Sequence, residues 1–207
     1  MPFSDIDVCS NAMVLLGLEP ISSFVDKSPQ ANVCAIRYPL LKERLLSTHI
    51  WKFTVTKTQL SRDTVTPNSK YKYQYHMPGD ASVHGVIAAY ASDVLGVGIM
   101  TQYVIQGNFL LTNETSVYVD YQRLVGETDW PPYFTDFAAH ALAVDCALTL
   151  TKDRNIRDSL SIETYGTPSS NLMGGLHGLA RSQDSKYSPP NNVIEGFPLI
   201  MARHGSA

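Results

Sequence analysis

Histidine, cysteine and the carboxylates are the residues best able to hold a metal or move a proton. Their placement in this chain gives little for such chemistry to use. Six histidines, His49, His76, His84, His140, His177 and His204, are scattered, and none stands four residues from another, the spacing that sets two imidazoles on one helix face for a zinc ion. They read as structural or solvated side chains. Cys9, Cys34 and Cys146 are too far apart for a zinc motif or a disulfide framework and lie among apolar residues, so they are expected as reduced core thiols. Asp5 and Asp7 fall where a helix begins and would face the positive end of its dipole, and Asp153 and Asp158 flank a helix junction, so capping and solvation account for both pairs. No Gly-x-Ser-x-Gly elbow is present; Gly166-Thr167-Pro168-Ser169 lacks the spacing a nucleophilic serine needs.

Two further groups invite a binding role. Gly174, Gly175 and Gly178 resemble a phosphate cradle, yet they stand in a leucine-patterned helix with no strand before them and no lysine-serine/threonine pair after them. Glycine costs about 1 kcal/mol relative to alanine inside a helix, so the group predicts close approach by another backbone, within the subunit or from a neighbour. Tyr71, Tyr73 and Tyr75 with Lys70 and Lys72 have the composition of a base-stacking platform, but alternating tyrosines are ordinary strand residues. The net charge of −3 gives no general basic surface for nucleic acid. The sequence therefore predicts a non-enzymatic chain with no catalytic, metal or cofactor site.

The elements that would carry these residues follow from apolar periodicity. Within 207 residues, enough for one elaborated core, the first helix runs from a capping Ser4 through Ile6, Cys9, Met13 and Leu16 to Gly17. A second starts at Ser28-Pro29 and continues through Val33, Ile36, Leu40, Leu41 and Leu45, with Pro39 expected to kink it. From Trp51 the period shifts towards two, with strands expected at Trp51-Phe53-Val55, Tyr71 to Tyr75, Val83 to Tyr90, Gln102 to Ile105, Phe109 to Thr112 and Ser116 to Leu124, and a hairpin turn at Gln106-Gly107-Asn108. The helical period returns after Trp130-Pro131-Pro132, with Phe134, Phe137, Ala138, Ala141, Val144, Ala147 and Leu148 on one face of the longest helix. A last helical stretch in two pieces carries Ile156 and Leu160, then Leu172, Leu176 and Leu179. The reading is an α+β fold: a helical bundle from residues 1–50 and 127–188, an inserted antiparallel β-rich domain at 51–126, and an extended tail at 189–207.

That tail is unusual in being apolar. Phe197, Leu199, Ile200 and Met201, with Arg203, are candidate contacts to a partner or a neighbouring subunit, because a merely solvated tail would be polar. Burial in a groove would gain roughly 25 cal/mol per Å² of apolar surface against the entropy of ordering, so removal of 191–207 is expected to leave a folded monomer that assembles poorly. Met1-Pro2-Phe3-Ser4-Asp5 lacks the start of a secretory signal, and no apolar run reaches the ~20 residues that cross a bilayer, so a soluble protein made in the cytoplasm is expected.

The order of several motifs resembles one family. The stretch Ala12-Met13-Val14-Leu15-Leu16-Gly17-Leu18-Glu19-Pro20-Ile21 precedes Val25-Asp26-Lys27-Ser28-Pro29. Tyr38-Pro39-Leu40-Leu41-Lys42-Glu43-Arg44-Leu45-Leu46 then leads to His49-Ile50-Trp51-Lys52-Phe53. Tyr73-Gln74-Tyr75-His76-Met77-Pro78-Gly79-Asp80, Leu148-Thr149-Leu150-Thr151, Gly174-Gly175-Leu176 and Asp184-Ser185-Lys186 complete the series. Over roughly residues 4–190 this arrangement resembles the tail tubular protein A, or head-to-tail adaptor, family of short-tailed bacteriophages (podoviruses). The resemblance implies a virion protein at the head-tail junction, forming a dodecameric ring between the portal protein and the tail nozzle protein. Tail fibres would lie nearby, and double-stranded DNA would pass through the ring without sequence-specific binding. The alternatives are a tail nozzle or head-completion component, and a carbohydrate-acting hydrolase using two carboxylates, for which the sequence offers no defined pair.

Overall fold

The computed structural model describes residues 3–79, 81–92, 99–170 and 174–186, with side chains for all of these except 81–85 and 170. Helix α1, Asp5–Leu15, opens on a reciprocal cap: the Ser4 hydroxyl accepts the Asp7 N–H at 3.2 Å while the Asp7 carboxylate accepts the Ser4 N–H at 2.8 Å. It ends at Gly17, whose φ of +70° lets Leu18 N–H reach Met13 O at 2.9 Å and Gly17 N–H reach Val14 O at 2.9 Å. Helix α2, Pro29–Ser47, is capped by Ser28 through Ala31 N–H and continues through Pro39.

The buried face of α2 differs from the expected one. Ala31, Cys34, Tyr38, Leu41 and Leu45 enter the core at alternating spacings of three and four, whereas Ile36 and Leu40 stand 68% and 64% exposed. Two residues from Cys34 or Tyr38 is about 200° around a helix, so the apolar pattern covers two faces and only one is used within the subunit.

The first strand also starts later than expected. Trp51 is wholly buried in the helical core, with its indole N–H donated to Leu45 O at 3.0 Å, and a 3-10 turn at Lys52–Thr54 is closed by the Thr54 N–H and hydroxyl on Trp51 O. The ladder begins after these bonds, with β1 at Val55–Gln59. The other strands are β2 Tyr73–His76, β3 Ala81–Tyr90, β4 Tyr103–Gln106, β5 Phe109–Thr112 and β6 Tyr118–Arg123. They form two three-stranded antiparallel sheets, β1-β6-β3 and β2-β5-β4, and Gln106 pairs with Phe109 across the hairpin Gly107-Asn108. Bulges in β3 between Ala81 and Ala88 adjust its register on β6. Leu60, Tyr75, Ala89, Met100, Leu110, Val117, Val119 and Tyr121 make a hydrophobic cluster of their own.

Helix α3, Pro132–Thr151, starts with a proline at its first turn and is buried on nearly every side, with α1, α2, α4 (Arg154–Tyr165) and α5 (Gly175–Ser185) packed around it. Its alanines at 138, 139, 141, 143 and 147 permit that crowding, since each keeps the neighbouring axis close. Leu148, expected on the core face, is partly exposed near the end of α3. The chain turns at Lys152 in the left-handed region, and Asp153 caps α4 by accepting the Asn155 N–H at 2.8 Å. Among the described residues, five helices and two small antiparallel sheets establish the α+β class. Leu172 and the tail at 189–207 lie outside the described residues.

Candidate assembly surface

The first two glycines of the cluster stand at the α4–α5 joint, at the start of a helix and not in its interior as the leucine pattern suggested, and only Gly178 lies within the helix. Gly174 precedes α5 and donates its N–H to Tyr165 O at 3.0 Å; Gly175 is the first helical residue, at φ +56°; Gly178 follows in the first turns. A Cβ on Gly175 would lie 2.2 Å from the Glu163 carbonyl oxygen and 2.9 Å from Gly166 N, so two backbones of the same subunit meet there.

Phe197, Leu199, Ile200, Met201 and Arg203 lie outside the described residues. Exposed apolar side chains are spread over the described surface, Val25, Val65, Ile99, Val104 and Ile105 among them, and two groupings lie on the helical bundle. One is the outer face of α2, where Ile36 and Leu40 are neighbours one turn apart. The other is a groove of about 370 Å³ between α1 and α3, lined by Phe3, Val14, Leu15, Pro132 and Ala139, with Asn11, Thr135, Asp136 and His140 at its polar positions. Neither was foreseen: the sequence pattern assigned Ile36 and Leu40 to the core, and a groove between two helices has no local signature.

The residues suited to chemistry are mostly tied into structure. All three cysteines are buried and free, one each on α1, α2 and α3; contact with the Cys34 sulfur, together with burial, pushes the Cys9 and Cys146 thiols up, which keeps them protonated. Tyr75 is buried and donates its hydroxyl to Glu114 O, while the Arg62 guanidinium covers the Tyr73 ring at 3.7 Å, so the tyrosine row is not a free stacking surface. Three histidines gain acidic neighbours that the sequence did not reveal: His49 Nε2 is 3.6 Å from Asp184, His76 Nε2 3.5 Å from Asp63, and His140 Nδ1 3.4 Å from Asp136. Among the described residues no group of three or more His, Cys, Asp or Glu side chains is placed to hold a metal ion.

Two buried polar side chains hold the end of α2 and the turn that follows it. Asp184 on α5 is fully buried; both its oxygens accept the Lys52 N–H at 3.0 Å, and Oδ1 also accepts the Tyr133 hydroxyl at 2.9 Å. Gln122 on β6 donates its amide to Leu46 O at 2.9 Å and His49 O at 3.3 Å, which satisfies carbonyls at the open end of α2. A third link is Glu127, which accepts the Tyr38 hydroxyl at 2.7 Å and the Lys42 ammonium at 2.9 Å. Burial works against the Glu127 carboxylate, but Lys42 and Tyr38 prevail and hold its pKa below the ordinary range.

No helix among the described residues is long and apolar enough to cross a membrane. No protein-family model matches the chain, and no curated protein matches it at a significant level.

Proposed function

We propose that this chain is a structural virion subunit, a head-to-tail adaptor that closes into a dodecameric ring between the portal and the tail nozzle of a short-tailed phage. The reading rests on the order of motifs over roughly residues 4–190, and one structural observation carries it further. Helix α2 is apolar on two faces, and Ile36 and Leu40, on the second, meet solvent in the isolated subunit. Side-by-side aliphatic residues on an otherwise well-packed bundle suit a contact made only on assembly. A ring contact is heterologous, pairing one face of a subunit with a different face of the next, so an exposed face on α2 needs no self-complementarity. The net charge of −3 suits a channel through which DNA passes without being held.

The test is electron microscopy of the protein mixed with the portal ring encoded by the same phage. A twelvefold collar beneath the portal is the expected result. A sixfold ring would assign the chain to the nozzle, and a portal left bare across buffer conditions would remove the adaptor reading.

A further inference from the structure

An aromatic cleft lies where the start of α3 meets the turn that precedes β1. It has a volume of about 570 Å³, and its apolar lining is Phe53, Val55, Trp130, Pro131 and Tyr133. Lys52 and Asp129 complete it with opposite charges, so the cleft has no net charge with which to select an ion. Size and lining are those of a site that takes an apolar group.

The core positions its walls. The Phe53 and Trp130 rings pack on one and the same side chain, the wholly buried Phe134, with centroids 5.0 Å and 4.8 Å from it. Tyr133 is held at its far end, where the hydroxyl donates to Asp184 Oδ1 at 2.9 Å.

That last bond also shows which part of the chain is near. Asp184 stands in the final turn of α5 and accepts the Lys52 N–H at 3.0 Å as well, so the end of α5 touches two residues that line the cleft. The described chain stops two residues later, at Lys186, and the sequence goes on as Tyr187-Ser188-Pro189-Pro190. Neither proline suits a continued helix, because each lacks the N–H and pushes the residue before it out of the helical region. A Ser-Pro-Pro run favours the extended polyproline form, the form that aromatic-lined grooves recognise. At about 3.3 Å per extended residue these four residues span roughly 13 Å, longer than the tyrosine side chain that joins Asp184 to the cleft.

We propose that residues 187–190 of the same chain seat in this cleft, with Pro189 and Pro190 packed against Phe53, Trp130 and Tyr133. Such a seat anchors the root of the apolar stretch from Phe197 to Met201 at the junction of α3 and β1, and leaves the residues beyond it for a partner. The assignment stands independently of the adaptor reading.

The experiment is NMR spectroscopy of the full chain. Nuclear Overhauser contacts are expected between the ring protons of Pro189 and Pro190 and those of Phe53 and Tyr133. A double variant, Pro189→Asp with Pro190→Asp, alters no residue of the bundle, and in it the Val55 methyl and Phe53 ring signals should shift. A synthetic peptide of residues 187–198 should bind that variant and return those signals towards their wild-type positions. The wild type should bind the same peptide at least about tenfold more weakly, because a tether of a few residues holds its own segment at an effective concentration in the mM range. Val55→Lys, which sets a charge in the wall while its backbone keeps the pairing with Gln122, should lose the proline contacts with the tail unaltered. Absence of those contacts in the wild type, with Val55 signals equal in the wild type and the double variant, would overturn the assignment. Peptide binding as tight in the wild type as in the double variant would also overturn it, and would leave the cleft to a proline-bearing segment of another protein.

Discussion

Replacing Gly175 with alanine separates two costs that usually arrive together. The backbone at Gly175 has φ +56°, which for an L side chain carries roughly 1–2 kcal/mol of strain. The new Cβ would also sit 2.2 Å from the Glu163 carbonyl oxygen and 2.9 Å from both Gly166 N and the Thr164 carbonyl carbon. These are backbone atoms near the end of α4, so no rotamer change relieves the overlap and the α4–α5 joint must open. Overpacking of this sort adds about 1–3 kcal/mol, for an expected total of about 2–5 kcal/mol. Gly17 provides the control, because it has φ +70° in the same helical bundle but nothing within 4 Å of the added carbon. Gly17→Ala should therefore show only the conformational part, about 1–2 kcal/mol. Urea denaturation followed by circular dichroism, with both variants compared at constant m, measures the difference directly. A Gly175→Ala variant no less stable than Gly17→Ala would show that the two helices do not meet so closely, and the reasoning about the joint would fail.

Three other outcomes are expected. Trp51→Ala should cost about 3–5 kcal/mol in chemical denaturation, since the ring is wholly buried against Phe134 at 4.9 Å and its N–H bonds to Leu45 O; a loss below about 2 kcal/mol would mean the core relaxes around the gap. Glu127 has a depressed folded pKa, so its contribution is complete above the unfolded value near 4.5 and is lost as pH falls through the lower folded one. Glu127→Gln should accordingly lower the urea midpoint at neutral pH and flatten its decline between those two values, and an unchanged acid limb would contradict the Lys42–Glu127–Tyr38 link. Ile36→Glu with Leu40→Glu should change monomer stability by no more than about 0.5 kcal/mol, because both side chains face water, yet abolish the ring on the portal in electron micrographs; intact rings would place the subunit contact elsewhere.

Much of the fold was legible because its signals are local. The Ser4 cap with Asp7 three residues on, the Ser28-Pro29 start of α2, the stop at Gly17 and the hairpin at Gly107-Asn108 each depend on side chains and dihedrals within a few residues. The α+β order followed from the change of apolar period and its return after Trp130-Pro131-Pro132. The boundaries that were misplaced are those set by distant partners. Trp51 alternates with its neighbours like a strand residue, but the end of α2 takes its indole N–H and Asp184, far along the chain, takes the Lys52 N–H.

The sequence by itself determined the order of helices and strands and that three cysteines would be buried thiols, since composition, caps and period act over short range. Only the tertiary structure decided which apolar residues the core uses. Ile36 and Leu40 have the same chemistry as Leu41 and Leu45, and only the direction from which α3 packs on α2 separates a buried face from an exposed one. It likewise decided that Gly175 marks a meeting of two backbones and that His49 and Lys52 come to lie beside Asp184, because proximity between residues far apart in the chain is created by packing and has no local trace.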